Sequence, residues 1–185
     1  MSFRVLVIPE DPTHNGYILK PLVEAILADA GKPNAKVRVL TDPHLVGFDD
    51  ARRAIRDELQ TKYSFFDLWL FMPDADRATP EAMAALESEL ETKGVRLLCC
   101  PAQPEVEVYA CAAYRRDIEM SWDEVRQHPH MKEQVFEAIR TKYGNVNSAG
   151  GGRSSLINEA LRNLAHLYDL CPELKSLRER IVGLG

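Results

Sequence analysis

Carboxylates recur at the points in this sequence where chemistry is easiest to place. Asp74 and Asp76 stand one residue apart in MPDADR, directly after the apolar run FFDLWLF. Glu10 and Asp11 follow FRVLVI, and Glu105 and Glu107 follow VRLLCC. Carboxylates brought close together repel one another, and their pKa values rise unless a cation neutralises them. Hard oxygen ligands without cysteine or histidine favour magnesium or manganese over zinc. In an extended D-x-D both side chains point to one side of the backbone, so Asp74 and Asp76 can share one ion or hold neighbouring ions. A metal there can clamp a phosphodiester oxygen and activate water. Each acid also has a plainer reading. Aspartate caps helices and favours turns, so D-x-D alone is compatible with loop chemistry. Asp11 before Pro12 begins a turn, and Glu105 is a charge that a helix start favours. The coincidence of three acidic connections on one edge is what argues for a site.

That edge depends on the elements around it. Residues 3–8 form a short β-branched run and read as a strand. A helical pattern follows, with Ile18, Leu19, Leu22, Val23, Ile26 and Leu27 on one face and Gly31 as its stop. Residues 36–40 are a second strand. Asp49 or Asp50 caps a helix whose inner face includes Ala51, Ile55 and Leu59. The run containing FFDLWLFM is the third strand. Thr79 then serves as an N-cap with Pro80 at the first helical position, and the helix runs to Gly94. Residues 95–100 are the fourth strand. This alternation predicts an α/β fold with a mainly parallel, four-stranded or slightly larger sheet and flanking helices. Ligands of such sheets lie at the carboxyl ends of the strands, where all three acidic connections fall.

After Pro104 the pattern turns helical. Residues 132–142, 155–170 and 172–182 are helices, and the alanines of EVEVYACAAYR favour helix there too. GNVNSAGGG is a flexible stretch between two of them. The expected organisation is a core over residues 1–115 and a helical C-terminal extension over 116–185, packed on that core as one structural unit.

The chain of 185 residues has a net charge of −5, with no basic tail to announce nucleic acid or anionic membrane. Its four cysteines, Cys99, Cys100, Cys111 and Cys171, form no C-x-x-C pair. Reduced thiols in a cytoplasmic protein are the expectation. No stretch approaches transmembrane length, and the first residues do not read as a signal peptide.

Other residues carry competing readings. In AGGGRSSLINEAL, glycine amides and a helix starting near Ser155 could hold an anion with Arg153, but the lysine of a phosphate loop is absent. A linker followed by a serine cap is the plainer account, with Arg153 kept as a contact to substrate phosphate. His14, close after Glu10, is a candidate proton carrier or substrate contact, with capping or solvent exposure as its plainer reading. His128 and His130 read as exposed loop residues. Arg52, Arg53, Arg56 and Lys62 form a basic stripe, read first as a solvated face. Trp69 is core, and Trp122 belongs to a smaller core under the helical tail. There is no Ser-His-Asp grammar. A receiver domain would need a lysine after a fifth strand, and none is evident.

A glutamate after the first strand, a D-x-D after the third, and flanking helices resemble the Toprim domain. PAQPEVEVYACAAYR is similar to the proline, glutamate and aromatic segment of small RloB-like and OLD-nuclease-like Toprim proteins, through Pro104, Glu107 and Tyr109. HPHMK, the Gly-Arg of GGGRSS and CPELKSL also resemble the helical tail of such proteins. The resemblance implies a Toprim-like fold and a site using Mg2+ or Mn2+. Glu10 would be a metal ligand and acid/base, Asp74 and Asp76 metal ligands, and Glu107 a further ligand and catalytic residue. It also implies a nuclease that acts with an AAA or ABC-type ATPase in bacterial anti-phage defence. One departure stands out. The family usually has glycine after the first glutamate, and here Asp11-Pro12 follows Glu10. Glycine lets a backbone approach a phosphate closely, and Asp-Pro does not. The alternative is therefore a catalytically degenerate regulatory or binding subunit.

Overall fold

The alternation of side chains along two buried strands organises the molecule. The computed structural model describes residues 2–184. Strand β1 (Arg4–Pro9) sends Val5 and Val7 to one face of the sheet and Leu6 and Ile8 to the other. Strand β3 (Leu68–Met72) does the same, with Leu68, Leu70 and Met72 on the first face and Trp69 and Phe71 on the second. A period of two buried on both sides is what a central parallel strand requires.

With β2 (Lys36–Val39) and β4 (Leu97–Cys99), these strands form one sheet in the order β2-β1-β3-β4, and every pairing is parallel. The α/β architecture expected from the alternating periods is thus present. Strand β2 lies at an edge, where it leaves Lys36 and Arg38 exposed. Charge on an edge strand discourages pairing with other chains.

Local signals set several helices. Helix α1 (Gly16–Asp29) buries all six of the apolar residues that its sequence spaces on one face. Helix α2 (Phe48–Asp57) starts after Gly47 and not at an aspartate cap, and Asp49 and Asp50 instead occupy its first turn. A break at Glu58 separates α2 from α3 (Leu59–Tyr63), so the expected single helix is two. Ala51, Ile55 and Leu59 are buried nonetheless. Helix α4 (Pro80–Thr92) begins as its sequence predicts, with Thr79 Oγ1 accepting the Ala82 N–H at 3.2 Å. Helices α2, α3 and α4 cover the second sheet face.

The first face is covered by α1 and by the C-terminal half of the chain. Helix α5 (Glu107–Cys111) leads into a 3-10 segment (Ala112–Asp117), then α6 (Trp122–Gln127) and a π-helical turn (Lys132–Phe136) that continues as α7 (Glu137–Tyr143). Helices α8 (Arg153–Leu161), α9 (Leu164–Leu170) and α10 (Pro172–Val182) complete the chain. The helix expected over residues 155–170 is two helices, because Asn163 caps α9 through the His166 N–H at 3.1 Å. Leu156, Ile157, Leu167, Leu174, Leu177 and Ile181 share one apolar cluster with Val5, Val7 and Leu70. Trp122 is buried there and donates its indole N–H to the Leu170 carbonyl at 2.8 Å. Arg180 ties α10 to α4 through Glu87 at 2.7 Å, and Glu87 also accepts the Cys99 N–H at 2.6 Å.

All four cysteines are free and buried. Burial pushes each thiol far above its ordinary pKa. Among the described residues, no helix is long and apolar enough to cross a membrane.

Candidate functional site

Because the sheet is parallel, the acidic connections after β1, β3 and β4 lie at one edge. Glu10 is the first residue past β1, and its Oε2 accepts the Asp74 N–H at 3.1 Å. Asp74 is positioned by an extension of the ladder, a parallel bridge to Ala102 beyond the end of β4. The Ala102 N–H reaches the Pro73 carbonyl at 2.8 Å, and the Ala75 N–H reaches Ala102 at 2.9 Å. Asp74 Oδ1 in turn accepts the Val106 N–H at 3.0 Å, at the start of α5. A carboxylate at a helix start uses a backbone donor that the helix leaves free.

The D-x-D is not extended. The chain leaves the ladder after Asp74 and turns through Ala75 and Asp76, with the Ala78 N–H bonded to the Ala75 carbonyl at 3.2 Å. Asp74 is therefore half-buried and Asp76 exposed. Asp76 still lies near enough for its charge to raise the pKa of Glu10.

Burial is the main cause of altered titration at this edge. It pushes Asp74 up to about 7 against the opposing Val106 N–H, with Glu107, Glu10 and Glu105 adding repulsion. Burial also raises Glu10, opposed by the Asp74 N–H. The cation whose charge reaches Glu10 is Arg77, and it is paired with Asp49 at 2.6 Å. Glu105 is raised by burial as well, while its carboxylate accepts the Lys132 N–H at 2.9 Å. A cleft of about 300 Å3 at this edge is lined by Asp74, Asp76, Glu105, Gln103 and His128.

Glu107 lies in a different environment from the other acids. It is 1% exposed, and its Oε1 meets Lys132 Nζ and Arg153 Nη2, each at 3.3 Å. Two cations thus converge on one carboxylate oxygen. Arg153 and His14 do come together, in a second cavity of about 570 Å3 that also includes Lys132 and Arg140. Glu107 pairs with Lys132 and Arg153 of this cavity, and its charge also raises the pKa of Asp74.

The residues partly fit a divalent cation. Glu10 and Asp74 each commit one oxygen to a backbone N–H and keep a second oxygen. Such all-oxygen donors suit magnesium, which commonly binds one or two carboxylates and completes its shell with water and substrate phosphate. Glu107 keeps Oε2 free of ion pairs, but it is buried and a metal ion there would compete with Lys132 and Arg153 for its charge. Among the described residues, no group of three or more His, Cys, Asp or Glu side chains is arranged to hold a metal ion.

Asp11 forms the turn that its sequence context suggests, with Oδ1 accepting the Thr13 N–H at 2.8 Å. Helix α8 starts at Arg153, not Ser155, and Gly152 at φ +90° precedes it. Ser155 instead donates to the Gly152 carbonyl at 2.9 Å. The basic stripe is met by acids: Arg56 pairs with Glu89 at 2.9 Å and Lys62 with Asp42 at 3.1 Å. His128 is half-buried on the cleft wall, where its Nδ1 accepts the His130 N–H at 3.1 Å. A neutral ring in that arrangement carries its proton on Nε2. Nothing local in the sequence links residue 128 to Asp74, so its place on the cleft wall is not legible there. Comparison with protein-family models, curated proteins and solved structures gives no match to this chain.

Proposed function

We propose that the chain is a Toprim-like, divalent-metal-dependent nuclease that hydrolyses phosphodiester bonds. The observation that carries this reading is the meeting of Glu10 and Asp74 at the carboxyl edge of the sheet, linked at 3.1 Å. Both carboxyls are pushed up mainly by burial, with the charge of Glu10 adding at Asp74 and those of Asp76 and Asp11 adding at Glu10, which is the condition a bound cation would relieve. Glu10 and Asp74 would hold Mg2+ or Mn2+, with Asp76 at the mouth of the cleft. The metal would supply positive charge for a phosphodiester oxygen and lower the pKa of water. Glu10, oriented by the Asp74 N–H, would use its remaining oxygen as a metal ligand or as a proton acceptor. Glu107 takes a positioning role and fixes Lys132 and Arg153 behind the acidic edge. The Toprim resemblance adds a nucleic-acid substrate and an AAA or ABC-type ATPase partner in anti-phage defence to this proposal.

A second reading is a catalytically degenerate binding or regulatory subunit of such a complex. The engagement of Glu107 by two cations favours it. So does Asp11, which stands where the family has glycine and uses its carboxylate within the turn.

Incubation with DNA and RNA, with and without Mg2+ or Mn2+, separates the readings when Glu10→Ala and Asp74→Asn are run alongside. Metal-dependent cleavage that falls at least about 100-fold in both variants supports the nuclease. Metal binding without cleavage, even with an ATPase encoded beside the gene, supports the degenerate subunit. Neither cleavage nor metal binding sinks both.

A further inference from the structure

We propose that the basic cavity formed by Lys132, Arg140 and Arg153 is a binding site for a phosphate group. The proposal deepens the nuclease reading and rests on it for the identity of the anion, whereas the excess positive charge belongs to the cavity itself. The chain carries a net charge of −5, yet this cavity is lined by three permanent cations and His14, with Glu137 as its lining acid. Glu137 is already engaged by Arg140 at 2.6 Å. Lys132 and Arg153 share the single charge of Glu107. Among these ion pairs one positive charge therefore remains without a partner, and Glu105 acts on Lys132 only through its field.

The excess is placed where water screens it poorly. Arg153 is 5% exposed, and its guanidinium lies 5.0 Å from the centre of the Phe136 ring. Its Nη1 donates to the Gly150 carbonyl at 3.2 Å and its Nη2 to Glu107, but its buried Nε has no hydrogen-bond partner. A buried cation that is incompletely paired is costly, and an oxyanion that accepts from a guanidinium edge removes that cost. Arginine suits phosphate because its planar fork matches two phosphate oxygens.

The glycine segment contributes differently from a phosphate loop. The carbonyls of Gly150 and Gly151 accept from Arg153 and Arg140, at 3.2 and 3.3 Å. Backbone here orients the guanidinium groups, and the anion would be held by side chains. Gly150 has φ +75°, and a Cβ on it would lie 2.5 Å from the Tyr17 ring. The glycine thus admits a half-exposed aromatic ring to the cavity wall. A nucleoside attached to the phosphate could stack on that ring.

Titration calorimetry in EDTA tests the site without any metal. The probes are inorganic phosphate, adenosine 5′-monophosphate and a short single-stranded oligonucleotide, added to wild type, Lys132→Gln, Arg140→Gln and, as a control outside the cavity, Lys62→Gln. Lys132 and Arg140 are half-buried, so their variants avoid the folding risk of replacing Arg153. We expect binding that weakens about tenfold in Lys132→Gln and Arg140→Gln and is unchanged in Lys62→Gln. Tighter binding of the mononucleotide or oligonucleotide than of phosphate supports the site and assigns the Tyr17 wall to a base. Equal binding supports it for phosphate alone. No binding of any probe, or equal affinity in wild type and both cavity variants, overturns it. Phosphate binding without metal-dependent cleavage supports the pocket while removing the nuclease reading.

Discussion

Asp74 accepts a backbone N–H and yet titrates near neutrality, because burial and three neighbouring glutamates outweigh that one donor. The sign of its effect on stability follows. Its folded pKa of about 7 lies above the ordinary 3.8, so between those values the native state binds more protons than the unfolded chain. Stability from this group is full below about pH 4 and is lost as pH rises to about 7. The whole gap corresponds to roughly 4 kcal/mol at full burial, and solvent access to a half-buried carboxyl reduces that to about 1–2 kcal/mol. Asp74→Asn keeps an oxygen for the Val106 N–H and should raise stability at pH 8 by that amount. Urea unfolding at pH 5 and pH 8 measures it, and a variant with the same pH dependence as wild type would refute the assignment. Glu107 calls for the opposite expectation. Glu107→Gln removes the carboxylate that pairs with both Lys132 and Arg153, so it should destabilise by about 3–5 kcal/mol. A urea midpoint matching wild type would show that the pair is not the anchor proposed.

Elements with their own start and stop signals were readable from sequence. Six apolar residues at helical spacing announced α1, and Thr79-Pro80 announced the start of α4. Thr79→Ala should cost about 1 kcal/mol by thermal melting, since it removes the acceptor for the Ala82 N–H. The start of α8 was less readable, because Gly152 caps it through backbone conformation and leaves no side-chain signature. The bend after Asp74 was not readable at all. It depends on the bridge to Ala102, a contact between connections far apart in sequence. The convergence of Glu107, Lys132 and Arg153 was hidden for the same reason. Gly150→Ala should disturb this region specifically. Positive φ and the Tyr17 ring both oppose a Cβ, so a loss of about 1–2 kcal/mol is expected together with altered Tyr17 fluorescence or NMR shifts. Unchanged melting and spectra would remove the proposed packing of the loop on Tyr17.

At the scale of the molecule, the sheet has two apolar faces and different parts of the chain cover them. Residues before β4 supply α2, α3 and α4 to the second face. The first face has only α1 from that half, and its remaining cover comes from the helices α5 to α10. A chain ending at residue 115 would therefore leave Val5, Val7, Leu70 and Met72 without Leu156, Ile157, Leu174 and Ile181. Exposing several such side chains costs about 1.5–3 kcal/mol each, and a domain is typically stable by only about 5–15 kcal/mol. The truncated chain would also lose Arg180 from Glu87 and Arg153 from Glu107. Residues 1–115 should accordingly show no cooperative thermal transition by circular dichroism and should bind a dye for exposed apolar surface. A sharp melt in that fragment would mean that the helical half is a separable cover. In that case the acidic edge would stand alone, and the basic cavity, which takes Thr13, His14 and Tyr17 from one half and Lys132, Arg140 and Arg153 from the other, would form only when the halves meet.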